Sequence, residues 1–174
     1  SSLAGADSLC DTLFSRFGVA RVNDPASFIE TLKLLHLSGP LFGKRVTSAS
    51  CSGGEASLTA DLAERAGLST PDFPPAAQHR LETVLGPQVN VANPLDYHTY
   101  IWGDGPAQTA CFSAMLGAGF EASLLILDFP RADRCQSRDW EVTLDAFVAA
   151  HKAVPPSPGS VRIVASALAE NLPE

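Results

Sequence analysis

The sequence is poor in lysine, has no closely spaced cysteines and contains no long apolar run. Three of its 174 residues are lysine, and 12 Lys and Arg stand against 19 Asp and Glu, which gives a formal net charge of −7. Nucleic acids and anionic membrane surfaces both favour clustered Lys and Arg, so this balance argues against either as a partner. No apolar stretch approaches the roughly 20 residues that cross a bilayer, and no signal peptide is visible.

Cysteine usage indicates a reducing compartment. The four cysteines are widely spaced and form no C-x-x-C pair: Cys10, Cys51, Cys111 and Cys135. A disulfide framework is typical of smaller secreted chains, so we expect free thiols in a cytoplasmic protein. The four histidines are scattered as well, and no metal-ligand spacing appears. The sequence therefore predicts no metal site and no cofactor held by this chain alone.

Length and composition predict one well-buried core. Hydrophobic residues make up 45% and charged residues 18% of the chain, which is ordinary for a globular protein of this size. The sequence begins without Met, inside a helical pattern, and stops just after a strand pattern. We therefore expect a single domain over residues 1–174 that belongs to a larger multidomain chain. Residues 1–40 are predicted to be a helical lead-in, and residues 41–174 the α/β core.

Hydrophobic periodicity and turn residues predict alternating strands and helices. Asp24 is expected to cap the second helix, with a buried stripe behind it formed by Phe28, Ile29, Leu32 and Leu35. Asp139 is expected to cap the last helix. Strands separated by helices of ten to fifteen residues favour a parallel, doubly wound sheet. The predicted helices cover residues 3–17, 25–38, 55–66, 76–85, 106–116 and a stretch after 139, and the strands cover 45–50, 123–129 and 161–165.

A glycine-rich turn at residues 50–55 is the most informative motif. Ser50, Cys51, Ser52, Gly53, Gly54 and Glu55 follow a strand pattern and open a helix pattern. A helix N-terminus presents free backbone N–H groups and the positive end of the helix dipole to an anion. Adjacent glycines allow close approach of the backbone, and the two serines add hydroxyl donors. The motif is not a Walker A sequence, and an ordinary tight turn between strand and helix is the alternative. Glu55 is expected to turn towards solvent.

A long segment without clear periodicity, residues 88–104, carries further candidates. It contains both tyrosines, one of the two tryptophans, and Asn93, Asp96 and His98. Long irregular segments in compact domains are often functional. Asn93 and Asp96 are also ordinary turn formers. His98 and its aromatic neighbours either line a ligand cleft or form an interdomain contact, and we favour the contact.

Three short motifs in a fixed order resemble the NDP-forming acyl-CoA synthetases. The segment after the phosphohistidine loop in that family is similar to Ser2-Leu3-Ala4-Gly5-Ala6-Asp7. The family's Asn-Ser-Gly-Gly motif is similar to Ser50-Cys51-Ser52-Gly53-Gly54. Its Asn-Pro-hydrophobic-Asp motif is similar to Asn93-Pro94-Leu95-Asp96. Together these motifs span residues 2–96. The resemblance implies a flavodoxin-like, three-layer ligase domain related to succinyl-CoA synthetase.

The resemblance also implies a function for the candidate residues. Such enzymes convert acid, CoA and ATP to acyl-CoA, ADP and phosphate through an acyl phosphate and a phosphohistidine. Residues 50–55 would bind the phosphoryl group, and Asn93, Asp96 and His98 would position the nearby loop. CoA-binding and ATP-grasp domains of the same protein, with Mg²⁺, would be the partners. The family's catalytic histidine would lie upstream of residue 1, so no catalytic residue is expected in this chain.

One departure from the family pattern leaves two alternatives open. Cys51 stands where the family usually has asparagine. A thiol at a helix N-terminus has a lowered pKa, so Cys51 with His98 and Asp96 would suit an α/β thiol enzyme. The second alternative is a non-catalytic, synthetase-like regulatory module of a multidomain protein acetyltransferase. Homo-oligomer formation also stays open.

Overall fold

The computed structural model describes residues 6–131 and 133–166. The chain divides between Pro40 and Leu41 into two compact units, at the predicted end of the helical lead-in. The predicted start of the first helix at residues 3–5, the first motif at residues 2–5 and the chain end at residues 171–174 lie outside the described residues. None of the helices in the described ranges is long and apolar enough to cross a membrane.

The first unit contains two helices, α1 (Asp7–Arg16) and α2 (Pro25–Ser38). The predicted cap of α2 is confirmed, because the Asp24 carboxylate accepts a hydrogen bond from the backbone N–H of Ser27 at 2.8 Å. The predicted buried stripe of α2 is wrong: no residue of that helix is buried, and Phe28 is half exposed. Two helices alone do not supply the surface that this stripe needs.

The second unit is the α/β core. Strand β4 matches its predicted bounds, and α3 begins two residues earlier than expected, at Gly53. Helix α6 begins after Ser137 rather than Asp139, which lies in its first turn. The elements are β1 (Val46–Ser50), α3 (Gly53–Arg65), α4 (Pro75–Leu85), β2 (Leu95–Asp96), a 3₁₀ turn (Thr99–Ile101), α5 (Gly105–Leu116), β3 (Ala122–Ile126), α6 (Arg138–Ala153) and β4 (Val161–Ala165).

The four strands of this unit form one parallel sheet in the order β2-β1-β3-β4. Ser50 pairs with Asp96 at the last position of β1 and β2. Because the strands are parallel, their carboxyl ends lie along one edge, where ligands of open α/β sheets bind. The predicted doubly wound α/β architecture is therefore confirmed, and its register brings residues 50 and 96 together.

Apolar residues cover the two faces of the sheet unequally. The larger core joins alternate strand residues such as Ala49 and Leu125 to α4, α5 and α6. The smaller core contains Val46, Ala122 and Ala63 of α3. Residues of β1 and β3 alternate between the two cores, as the period of two in a strand requires. A sheet with helices on both faces is the three-layer arrangement of the flavodoxin-like fold.

Candidate functional site

The start of α3 lies at the carboxyl edge of the sheet. Ser52 precedes the helix in extended conformation, with φ −141° and ψ 125°, and its side chain makes no capping hydrogen bond. The first intrahelical bond runs from the N–H of Ala56 to the carbonyl of Ser52 at 3.0 Å. In the described part of the chain, the backbone N–H groups of Gly53, Gly54 and Glu55 donate to no protein acceptor. These are the unsatisfied donors that every helix start leaves.

These N–H groups lie near the surface, because Gly53 and Gly54 are exposed. A methyl group added to Gly54 would lie 3.5 Å from the nearest atom, the Ser52 hydroxyl oxygen. The predicted second donor from Ser50 is wrong, since that hydroxyl is fully buried and donates to the carbonyl of Ser52 at 3.1 Å. An anion would therefore meet backbone donors and the side chain of Ser52, but not Ser50.

Asp96 lies directly against the start of α3. A methyl group on Gly53 would be 3.3 Å from Asp96 Oδ2. The other carboxylate oxygen, Oδ1, accepts a hydrogen bond from the backbone N–H of His98 at 2.9 Å. The imidazole Nε2 of His98 lies 3.5 Å from Asp96 Oδ2. The predicted proximity of Asp96 and His98 to residues 50–55 is thus present in the structure.

Acidic side chains surround this edge. Glu55 is half-buried rather than turned to solvent, so that expectation is wrong. Burial raises the pKa of Glu55, and the nearby carboxylates of Asp128 and Asp96 raise it further. Asp128 follows β3 and accepts a hydrogen bond from the hydroxyl of Ser166, just after β4, at 2.6 Å. The backbone donors of α3 therefore attract an anion in the presence of opposing negative charge.

Cys51 is a half-buried thiol that packs against the larger core. The expectation of a lowered pKa at the helix start is wrong. Burial raises the pKa of Cys51, and the carboxylate of Glu55 raises it further, while the hydroxyl of Tyr97 partly offsets the rise. Since the nucleophile is the thiolate, these surroundings oppose the thiol-enzyme alternative.

Asn93 does not lie with Asp96 and His98 beside the start of α3. Its side-chain N–H groups donate to the carbonyls of Val46 at 2.9 Å and Pro71 at 2.8 Å. Val46 is the first residue of β1, about 13 Å from Ser50 at the usual rise of a strand. The predicted loop-positioning role of Asn93 beside the phosphate site is wrong, because Asn93 joins loops near the opposite edge.

The start of α3 offers hydrogen-bond donors to an anion rather than a set of metal ligands. Within residues 6–131 and 133–166, no group of three or more His, Cys, Asp or Glu could hold a metal ion. Three adjacent N–H groups can donate to the oxygens of a phosphoryl group without reorganisation. Sequence reasoning missed the partial burial of Glu55 near other carboxylates, for which the sequence carries no local signal. The proximity of Asp96 to residues 50–55, in contrast, was expected.

Comparison with solved structures gives matches over nearly the whole chain. An acetyl-coenzyme A synthetase 1 of Ca. Korarchaeum cryptofilum, described as dinucleotide forming and solved in complex with phosphate and ADP, matches 98% of this chain with 18% identity and a TM-score of 0.73. The apo form of that protein gives a TM-score of 0.78 at the same identity and coverage. PH0766 from Pyrococcus horikoshii OT3 matches 96% of this chain with 20% identity and a TM-score of 0.73.

These likenesses confirm the fold. The chain spans 36% of the length of the synthetase structures and 37% of PH0766. Two of the three structures are of the acetyl-coenzyme A synthetase of Ca. Korarchaeum cryptofilum. No protein-family model and no curated protein matches the chain.

Proposed function

We propose that this chain is the ligase domain of an NDP-forming acyl-CoA synthetase. The whole protein would convert acid, CoA and ATP to acyl-CoA, ADP and phosphate, and a histidine outside this chain would carry the phosphoryl group between sites. The order of the three sequence motifs supports the proposal. So does a shared fold with an acetyl-coenzyme A synthetase that was solved with phosphate and ADP.

The start of α3 would stabilise the phosphoryl group during its transfer. The observation that carries this proposal is the row of three exposed or half-buried N–H groups, Gly53 to Glu55, that donate to no acceptor in the described part of the chain. Phosphoryl transfer depends on positioning and charge stabilisation more than on covalent help from the protein. Donors that are already oriented towards the bound group meet that requirement.

Other domains of the same protein would supply the remaining chemistry. The carboxylates of Glu55, Asp96 and Asp128 near the site oppose unaided binding of nucleotide phosphates, which supports a separate ATP-grasp domain with Mg²⁺. A CoA-binding domain would be the second partner. We also propose a cytoplasmic location, where the four free cysteines would stay reduced. No observation favours the regulatory-module alternative.

A proline at position 53 tests the anion site. Pro suits the first residue of a helix, and Ser52 already has the extended conformation that precedes proline. Gly53→Pro removes one N–H donor, whereas the matched control Gly53→Ala adds a side-chain carbon near Asp96 and keeps the donor. A hydrogen bond to a charged group contributes about 1.5–3 kcal/mol, so phosphate affinity is expected to fall about tenfold or more in Gly53→Pro relative to Gly53→Ala.

Equal phosphate affinity of the proline and alanine variants, measured by NMR titration, would contradict the proposed site. The ligase assignment has a separate test. The longer protein, with its CoA-binding and ATP-grasp domains, is expected to form acyl-CoA, and this chain alone is expected to be inactive. Acyl-CoA formation by the chain alone from acid, CoA and ATP would show that the assignment of parts is wrong.

A further inference from the structure

One carboxylate connects His98 to the start of α3. Asp96 Oδ2 lies 3.5 Å from the imidazole Nε2 of His98 and 3.3 Å from the position of a methyl group on Gly53. The side chain of Asp96 is only 17% exposed, whereas that of His98 is 42% exposed. Any anion bound to the N–H group of Gly53 would therefore lie close to the Asp96 carboxylate, which repels it, and near the imidazole beyond.

The other ionisable groups near this carboxylate do not neutralise it. The pKa values of the Cys51 thiol and the Tyr97 phenol are raised, mainly by burial, so both groups are uncharged near neutral pH. Glu55 adds a second carboxylate, and Asp128 a third. The ring of Tyr100, 5.6 Å from the His98 ring, lies on the exposed side. In the described part of the chain, His98 is the one side chain in contact with Asp96 that can carry positive charge.

The backbone holds the imidazole in this place. His98 has φ +55°, and it is the one non-glycine residue with positive φ among those that the structure describes. The hydrogen bond from its N–H to Asp96 Oδ1 fixes the same turn. This conformation is uncommon for residues other than glycine, and the hydrogen bond to Asp96 helps to hold the turn that places His98 beside Asp96.

We propose that His98 is a positioning residue: its protonated imidazole neutralises Asp96 and thereby allows an anion to reach the N–H groups of α3. The inference rests on the proposed anion site and names the group that controls binding there. Anion binding at this site would then depend on the protonation of one histidine and on the charge of one carboxylate. Replacement of His98 would remove the pH dependence that its imidazole causes, and replacement of Asp96 would remove one charge that repels the anion.

Sulfate is a suitable probe, because it keeps two negative charges throughout the range in which histidines titrate. We would measure sulfate affinity by NMR titration between about pH 5.5 and 8, a range in which histidine side chains change charge, for the wild type, His98→Gln, Asp96→Asn and the double variant. The control is His79→Gln, an exposed histidine of α4. As the pH rises through this range, the sulfate affinity of the wild type and of the control is expected to fall about fivefold. The reason is that one unit charge near the anion contributes on the order of 1 kcal/mol.

The pH dependence is expected to fall in His98→Gln to what other groups such as Glu55 contribute, and to persist in Asp96→Asn, where the imidazolium still attracts the anion. Asp96→Asn is expected to bind sulfate more tightly than the wild type at pH 8, and the double variant is expected to lose the pH dependence that His98 causes. Asp96→Asn keeps an oxygen that can accept from the His98 N–H, and a thermal melt checks its fold. Any dependence that comes from Glu55 persists in His98→Gln, so the difference between that variant and the wild type isolates the imidazole.

The outcomes separate this inference from the proposed function. If the wild type binds no sulfate at either end of the pH range, the anion site is wrong and the inference is wrong with it. If the wild type binds sulfate and His98→Gln retains the full pH dependence, the site stands and the role of His98 is overturned. If Asp96→Asn does not fold, the comparison of wild type with His98→Gln still decides the result.

Discussion

Replacement of Tyr97 by phenylalanine is expected to stabilise the protein. Tyr97 is fully buried, and its ring packs edge-to-face against Phe112, with centroids 5.4 Å apart and planes at 84°. Its hydroxyl makes no hydrogen bond of normal geometry in the described part of the chain. The hydroxyl of Thr143 near the phenol already donates to the carbonyl of Asp139 at 3.0 Å and accepts from Gln108 at 2.9 Å.

The size of the effect follows from the two terms that oppose each other. A buried polar group without a partner costs about 1–3 kcal/mol. Removal of the hydroxyl removes this cost, but the small gap that it leaves is itself destabilising and offsets part of the gain. The expected net gain in the free energy of unfolding is therefore about 1 kcal/mol. A gain of that size raises the melting temperature of a domain this large by about 2–4 °C. The matched control is Tyr100→Phe at an exposed position, expected to change stability by less than about 0.5 kcal/mol.

Urea denaturation of the wild type and the two variants measures these differences. An unchanged denaturant slope with a higher midpoint is the expected result for Tyr97→Phe. A loss of about 1 kcal/mol or more would refute the reasoning, because it would mean that the Tyr97 hydroxyl has a partner in solution.

Three further predictions test neighbouring parts of the structure. The raised pKa of Glu55 disfavours its ionised form in the folded state, so its stabilising contribution is present below its ordinary pKa of 4.5 and is lost as pH rises through the folded value. Glu55→Gln should therefore be more stable than the wild type at pH 7 but not at pH 4; equal denaturation midpoints at pH 7 would contradict this. Cys51 should react with iodoacetamide at pH 7 more slowly than exposed Cys135, and the reverse order in peptide mapping would restore the thiol-enzyme alternative. Thr143→Val leaves the buried amide of Gln108 without its acceptor and should cost about 1–3 kcal/mol in urea denaturation; no loss would show that the amide finds another partner.

Elements with strong local signals were predictable from the sequence. Asp24 followed by Pro25 marks a helix start by capping chemistry alone, and the structure has that cap. Residues 161–165 contain three β-branched residues, Val161, Ile163 and Val164, and they form β4 with those bounds. The parallel sheet followed from the alternation of such segments. In each case the information lies within a few neighbouring residues.

Features that depend on tertiary contacts were not predictable. Strand β2 has two residues, which are too few to show a period of two, and its place in the sheet comes from pairing with β1. Asn93 and Asp96 are three residues apart in one motif, yet Asn93 bonds to the start of β1 and Asp96 lies at its end. Glu55 faces other carboxylates because β2 and β3 bring them to the same edge. The residues next to each carboxylate in the sequence do not indicate that these side chains lie close together.

A crystal structure of the chain soaked in phosphate tests the central claim most directly. The account predicts density for phosphate within hydrogen-bond distance of the backbone N–H groups of Gly53, Gly54 and Glu55, the donors that the described structure leaves without acceptors. Phosphate bound only elsewhere on the protein, with those N–H groups empty, would contradict it.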